Sequence, residues 1–109
     1  MDQPRDCQTG GRAVKHDILI KYKPEVTKEQ KAGLIPEIQA LFDRTKEIPG
    51  IHNVKLYPNV VERENPNELL IEIDMEREAL DAYDHSEWHH QWKEQYGVML
   101  EKKAIFDHD

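Results

Sequence analysis

The 109-residue chain has a single cysteine, Cys7, so it can form no internal disulfide and suits a reducing compartment. It has no apolar run approaching the ~20 residues of a membrane span. Its start, MDQPRDCQTGGRA, lacks the apolar stretch of a signal peptide. Together these absences set a cytoplasmic location as the expectation, with residues 1–13 as a disordered leader. A basic patch is missing too: 15 Lys and Arg against 22 Asp and Glu give a net charge of −7, and the lysines are scattered among acids. Nucleic acid and anionic membrane surfaces, which both select for clustered positive charge, are therefore excluded as expected partners. There is no Gly-rich phosphate loop, no GxSxG and no cysteine placed as a nucleophile. Kinase, dinucleotide-binding and serine- or cysteine-hydrolase readings have no footing. The acids follow solvated helix faces, and no pair stands out as a glycosidase dyad. The sequence asks for no cofactor and no metal.

What remains is one domain, expected over residues 14–109, too short for two ordinary ones. With 38% hydrophobic and 34% charged residues it is polar, and its mean hydropathy is −0.86. A domain this small gains stability by burying a sheet face in an oligomer, so a homodimer is expected.

From Val14 to Lys23 the chain alternates, with Val14, His16, Ile18, Ile20 and Tyr22 on one side. That is a strand with one apolar face, broken only by Leu19. Pro24 ends it, Thr27 is an N-cap with Gln30 at the capping-box position, and Leu34, Ile38, Leu41, Thr45 and Ile48 form the stripe of a long helix. Pro36, which lacks an amide proton, predicts a kink or restart near Gly33, and Pro49-Gly50 closes the helix. A second strand is expected over about 51–61, with Pro58 implying an edge or a bulge. A turn at ENPN leads to a third strand in which Leu69, Ile71, Ile73 and Met75 alternate with Leu70, Glu72 and Asp74. A short helix over 76–84, a helix capped by Ser86 and running to about Met99, and a last short strand over 102–106 complete the order. Strand, helix, strand, strand, helices, strand is the α+β, ferredoxin-like split βαβ order: a four-stranded antiparallel sheet with helices on one face. Leu19 and Leu70 interrupt the polar second face of two strands, which suggests that a partner subunit's sheet packs there.

Chemistry concentrates in Tyr83 to His90, YDHSEWHH. If Ser86 starts a helix, the 3.6-residue period aligns His89, Trp92 and Tyr96 on the inner stripe and turns His90 out with Lys93 and Glu94. A buried histidine near neutrality suits proton abstraction beside a carbonyl, and a phenol can donate to the developing enolate oxygen. His89 and Tyr83 are therefore the candidate catalytic pair, against the plainer reading of a satisfied core histidine and a packed tyrosine. His16, Trp88, Trp92, Tyr96, Leu34, Ile38 and Phe42 are the candidate lining of an apolar pocket between helices and sheet. His85 and His89 stand four apart, a spacing that two metal-bound imidazoles can use. Ser86 as N-cap would leave His85 outside the helix, and the segment is not HExxH. The terminal Asp107 to Asp109 offers oxygens that could touch a hard cation, with a solvated tail as the stronger reading.

The segments VKHDILIKYKPEVTKEQ, EIPGI, EALDAY followed by HSEWH, and AIFD resemble, in order and spacing, the stress-responsive dimeric α/β-barrel family over nearly the whole chain after Ala13. That resemblance implies a homodimer whose two sheets wrap into one barrel with the helices outside. The family includes stress-linked plant proteins, proteins with no assigned activity, and polyketide cyclases of the olivetolic acid type. In those cyclases residues corresponding to Tyr83 and His89 act as the acid/base pair of an aldol-type ring closure, and a first-strand histidine corresponding to His16 lines the pocket. The chain departs from the family where its usual His-Pro is replaced by Ser86-Glu87, with a histidine displaced to position 85. Three functional readings stand side by side: a stress-linked protein binding a small apolar or aromatic molecule, a cyclase- or isomerase-like enzyme using His89 and Tyr83, and a purely structural dimer.

Overall fold

The computed structural model describes residues 13–64 and 66–109. The expected leader therefore lies, but for Ala13, outside the described residues. The strands are β1 (Ala13–Tyr22), β2 (Ile51–Pro58), β3 (Leu69–Glu76) and β4 (Leu100–His108). The helices are α1 (Lys28–Asp43), α2 (Ala79–Asp84) and α3 (Glu87–Gln95), and single 3₁₀ turns follow α1 (Arg44–Glu47) and α3 (Gly97–Met99). The strands form one sheet in the order β2-β3-β1-β4, with every pairing antiparallel. This is the ferredoxin-like α+β architecture, with helices on one face of the sheet.

Local chemistry explains the elements. Thr27 and Gln30 close a reciprocal capping box, each side chain bonded to the other's backbone, at 2.8 and 3.1 Å. Two otherwise orphaned amides at the start of α1 are thereby satisfied. The helix does not restart at Gly33. It runs unbroken through Pro36, because Pro36 and Ala32 are both exposed and water can take the carbonyl that the proline leaves without an amide. The last part of the expected long helix tightens into the 3₁₀ turn, where Thr45 is buried and its hydroxyl donates to the Phe42 carbonyl at 2.5 Å. Gly50 then turns the chain with φ 96°, a left-handed conformation that disfavours any side chain. The Gly50 carbonyl accepts from the Glu76 amide at 2.7 Å, which fixes the turn against the end of β3. Pro58 ends the edge strand β2, where its missing amide breaks no interior ladder.

The helix-facing rows of β1 and β3 hold Ile18, Ile20, Ile71, Ile73 and Met75, all at most 1% exposed, against Ile38, Phe42 and Trp92 from the helices. Each such side chain contributes roughly 1.5–3 kcal/mol by leaving water, so this seam fixes the docking of α1 and α3. Among the described residues, no helix packs on the opposite face. Register places Tyr57, Leu70, Leu19 and Ala104 side by side across all four strands, an apolar band on an otherwise charged surface. Phe106 lies on the same face and is 61% exposed.

Candidate functional site

Three elements deliver the site. β1 places His16 on the helix face, where it is 4% exposed. The short helix α2 ends at Asp84 and carries Tyr83 inward, fully buried. Ser86 caps α3 by accepting from the His89 amide at 3.1 Å, and its own hydroxyl donates to the Tyr83 carbonyl at 2.8 Å. That one serine sets His89 relative to Tyr83. The outcome is a row of three rings. His16 and Tyr83 meet edge-on with centroids 5.4 Å apart, and Tyr83 and His89 meet at 4.8 Å with a 54° tilt.

Hydrogen bonds define the imidazoles. The His89 Nδ1 donates to the Asp84 carbonyl at 3.0 Å, since a carbonyl only accepts, and this leaves Nε2 as the lone-pair nitrogen of the neutral ring. Burial pushes the His89 pKa below its ordinary value, outweighing the opposite pull of the Asp84 hydrogen bond, and the positive charges of Lys93 and Lys103 act in the same direction as burial. His89 is thus neutral near pH 7. His16 is oriented from the far side, its Nδ1 donating to the Asp107 carboxylate at 2.5 Å. Tyr83 has the reverse problem: its hydroxyl is buried and has no hydrogen-bond partner among the described residues. Burial, with the Asp84 charge nearby, raises its pKa well above the usual phenol range, so it is held as a neutral donor. A buried hydroxyl without a partner costs about 1–3 kcal/mol, a cost that an arriving acceptor would remove.

The remaining candidates divide. Trp92 and Tyr96 are buried, and Leu34, Ile38 and Phe42 with them. Phe42 meets Trp92 edge-on at 5.1 Å, and Trp92 meets Tyr96 at 5.7 Å. These side chains fill the space between helices and sheet, and Trp88 packs half-buried at its edge. The Tyr96 hydroxyl donates to Glu37 at 3.2 Å. Open space lies at the margins. A cleft of about 380 Å³ between the end of α3 and β4 is lined by Trp92, Lys93, Leu100 and Lys103 among others. Leu34 borders a second, of about 500 Å³, with Val26, Glu37 and Met99. By register Lys103, Ile105 and Asp107 share the helix face with Ile20, Ile18 and His16, yet all three are exposed, Ile105 by 47%. Among the described residues no helix covers that side of β4, and the half-buried His89 is the one ring of the row that reaches solvent, His16 and Tyr83 being buried. His85 sits beyond α2, exposed, with its Nδ1 donating to the Asp81 carbonyl at 2.9 Å, and is not on the helix of His89.

Sequence reasoning missed Asp107. The tail expected to be solvated is the end of β4, which runs to His108, and its side chains are engaged: Asp107 with His16, and His108 with Asp17 at 2.9 Å. Ile105 and Asp107 continue the strand alternation, but charged residues on both faces mask it.

Comparison with solved structures agrees with this architecture. A dimeric ferredoxin-like protein of unknown function from Bacteroides fragilis superposes with a TM-score of 0.73, at 16% identity over 89% of this chain and 95% of that one. A Dabb-family protein with a ferredoxin-like fold from Mesorhizobium loti gives 0.71, at 11% identity over 91% and 96%. Hydroxynitrile lyase from Passiflora edulis gives 0.68, at 16% identity over 88% and 91%. Identities this low establish the fold alone. No protein-family model matches the chain, and no curated protein matches it significantly. Among the described residues, no helix is long and apolar enough to cross a membrane.

Proposed function

We propose that two copies of the chain pack their open sheet faces into one α/β barrel of the stress-responsive dimeric type, and that each copy binds a small apolar or aromatic carbonyl compound at the Tyr83–His89 pair and moves a proton on it. The observation that carries the chemistry is the Tyr83 hydroxyl: buried, without a hydrogen-bond partner among the described residues, and borne on a ring that lies between two imidazoles, each fixed at Nδ1. His89 Nε2 would remove a proton from the carbon beside the carbonyl. Tyr83 would donate a hydrogen bond to the oxygen as it gains negative charge, and the proton would return from His89 to carbon or oxygen. Asp107 holds His16, the third wall of the site. The Passiflora neighbour is named as a hydroxynitrile lyase, and cleavage of a cyanohydrin to a carbonyl compound is also acid–base chemistry at a carbonyl carbon. The dimer is supported by the apolar band of Tyr57, Leu70, Leu19 and Ala104 and by dimeric neighbours of the same fold.

One observation favours a second reading, ligand binding without turnover. Phe42, Trp92 and Tyr96 fill the interior, which limits the space beside the pair. Deuterium exchange at the methyl group of acetophenone, followed by NMR in D₂O, separates the two. Exchange accelerated by the protein and lost in both His89→Ala and Tyr83→Phe supports catalysis. Chemical-shift changes at the site without exchange leave binding alone, and equal exchange in either variant removes that residue from the chemistry.

A further inference from the structure

The open sheet face holds a cluster unrelated to the ring row. Asp17 of β1 and Glu72 of β3 are directly opposite in register, and His108 of β4 lies diagonally across from Asp17. Two carboxylates opposed across a ladder repel each other, and this pair borders the apolar band that a second copy would cover. Asp17 is only 9% exposed, and its Oδ1 is buried with no hydrogen-bond partner among the described residues. Its Oδ2 is 2.9 Å from His108 Nε2, and a Glu72 oxygen lies 3.9 Å from the same nitrogen. One ligand atom from each of the three residues falls within a 4.8 Å span.

We propose that Asp17, Glu72 and His108 form a binding site for a divalent transition cation such as Zn²⁺, one per chain, on the face of the sheet opposite the ring row. Metal bonds of about 2.0–2.2 Å set ligand atoms roughly 3–4.4 Å apart, so the three groups close on a cation with small side-chain movements. The donor set of one imidazole nitrogen and two carboxylate oxygens suits Zn²⁺, Co²⁺ or Mn²⁺ better than Mg²⁺ or Ca²⁺, which take all-oxygen shells. His108 is already oriented for it. Its Nδ1 donates to the Asp109 carbonyl at 3.1 Å, which leaves Nε2 as the coordinating nitrogen, the arrangement by which ligating histidines are commonly held. A cation would give the buried Asp17 Oδ1 the partner it lacks and cancel the repulsion between the two acids. It would also neutralise a pair of acids on a surface that dimerisation would bury. The three side chains leave at least one coordination position open, towards the second copy or water.

The site is tested by titrating chelator-treated full-length protein with Co²⁺, read by its visible ligand-field absorption, and with Zn²⁺ by calorimetry. One equivalent per chain should bind, at micromolar concentration or tighter. Outer-shell partners alone shift metal affinity about 10–100-fold, so Asp17→Asn and His108→Ala, each removing a ligand, should weaken binding by about 100-fold or more. The double variant His85→Ala/His90→Ala should bind as the parent does. If Asp17→Asn does not fold, His108→Ala decides, because His108 ends its strand and is partly exposed. Binding that survives His108→Ala, that vanishes with the α2–α3 histidines, or that needs millimolar metal overturns the proposal. None of these readouts involves Tyr83 or His89, so the site stands or falls independently of the proposed proton chemistry.

Discussion

Replacing Tyr83 with phenylalanine should make the protein more stable while abolishing its chemistry. The phenol is 0% exposed and its hydroxyl has no partner among the described residues, so folding strips water from that group without compensation, at about 1–3 kcal/mol. Phenylalanine keeps the ring and its contacts with His16 and His89. The void left by one oxygen is smaller than a methyl group and returns less than about 1 kcal/mol. The balance is a gain of about 1 kcal/mol, or roughly 4–8 °C in Tm for a domain near this size. Urea denaturation of parent and variant at one fixed protein concentration gives the comparison, with an unchanged m-value as the sign that both unfold alike. Tyr22→Phe is the internal control: its hydroxyl is also buried without a partner among the described residues, and burial next to Glu68 pushes its pKa up to about 12. It should be stabilised without any effect on activity. A loss of more than about 1 kcal/mol in Tyr83→Phe would show that the hydroxyl is satisfied in the folded protein. Such a hydroxyl would not be waiting for a ligand.

The depressed pKa of His89 sets a pH dependence. Above the unfolded value near 6.5 neither state binds the proton; as pH falls below it, the unfolded chain protonates first, and stability declines until the lower folded pKa is reached. His89→Gln should flatten that part of the stability profile, and in the parent protein proton exchange on acetophenone should decline on the acid side only below pH 6.5, where His89 protonates. Leu70→Lys places a charge in the apolar band opposite Leu19 and Tyr57. Light scattering should find a folded monomer, and an intact dimer would contradict the face-to-face arrangement. Gly50→Ala meets both a positive φ and an Ala79 Cβ at 3.0 Å, so it should cost about 1–3 kcal/mol in the same urea assay, and a neutral result would mean the turn relaxes freely.

The sheet was legible because β1 and β3 alternate cleanly and because Leu19 and Leu70 are out of place on a polar face. The capping residues Thr27 and Ser86 were legible because caps are local chemistry. Helix continuity at Pro36 was not, since it depends on Ala32 and Pro36 both facing water, which only the packed fold decides. The inward stripe of α3 follows from spacing, and the structure sets Tyr83 beside His89 across the α2–α3 turn. What spacing could not reveal is that Trp92, Tyr96 and Phe42 interlock and fill the interior. Asp107, His108 and their partners on β1 are separated by 91 positions in the chain. No local pattern reports a pairing of that range, and the charged alternation of the last residues reads equally well as a tail.

The most direct test of the proton chemistry is a long-range ¹H–¹⁵N NMR titration of the histidine rings in the full-length protein. The structure predicts a His89 that is neutral at pH 7, protonated at Nδ1 with Nε2 bare, and titrating below 6.5. A His89 that carries its proton on Nε2, or that is already charged at pH 7, could not serve as the base, and the site would have to be reassigned.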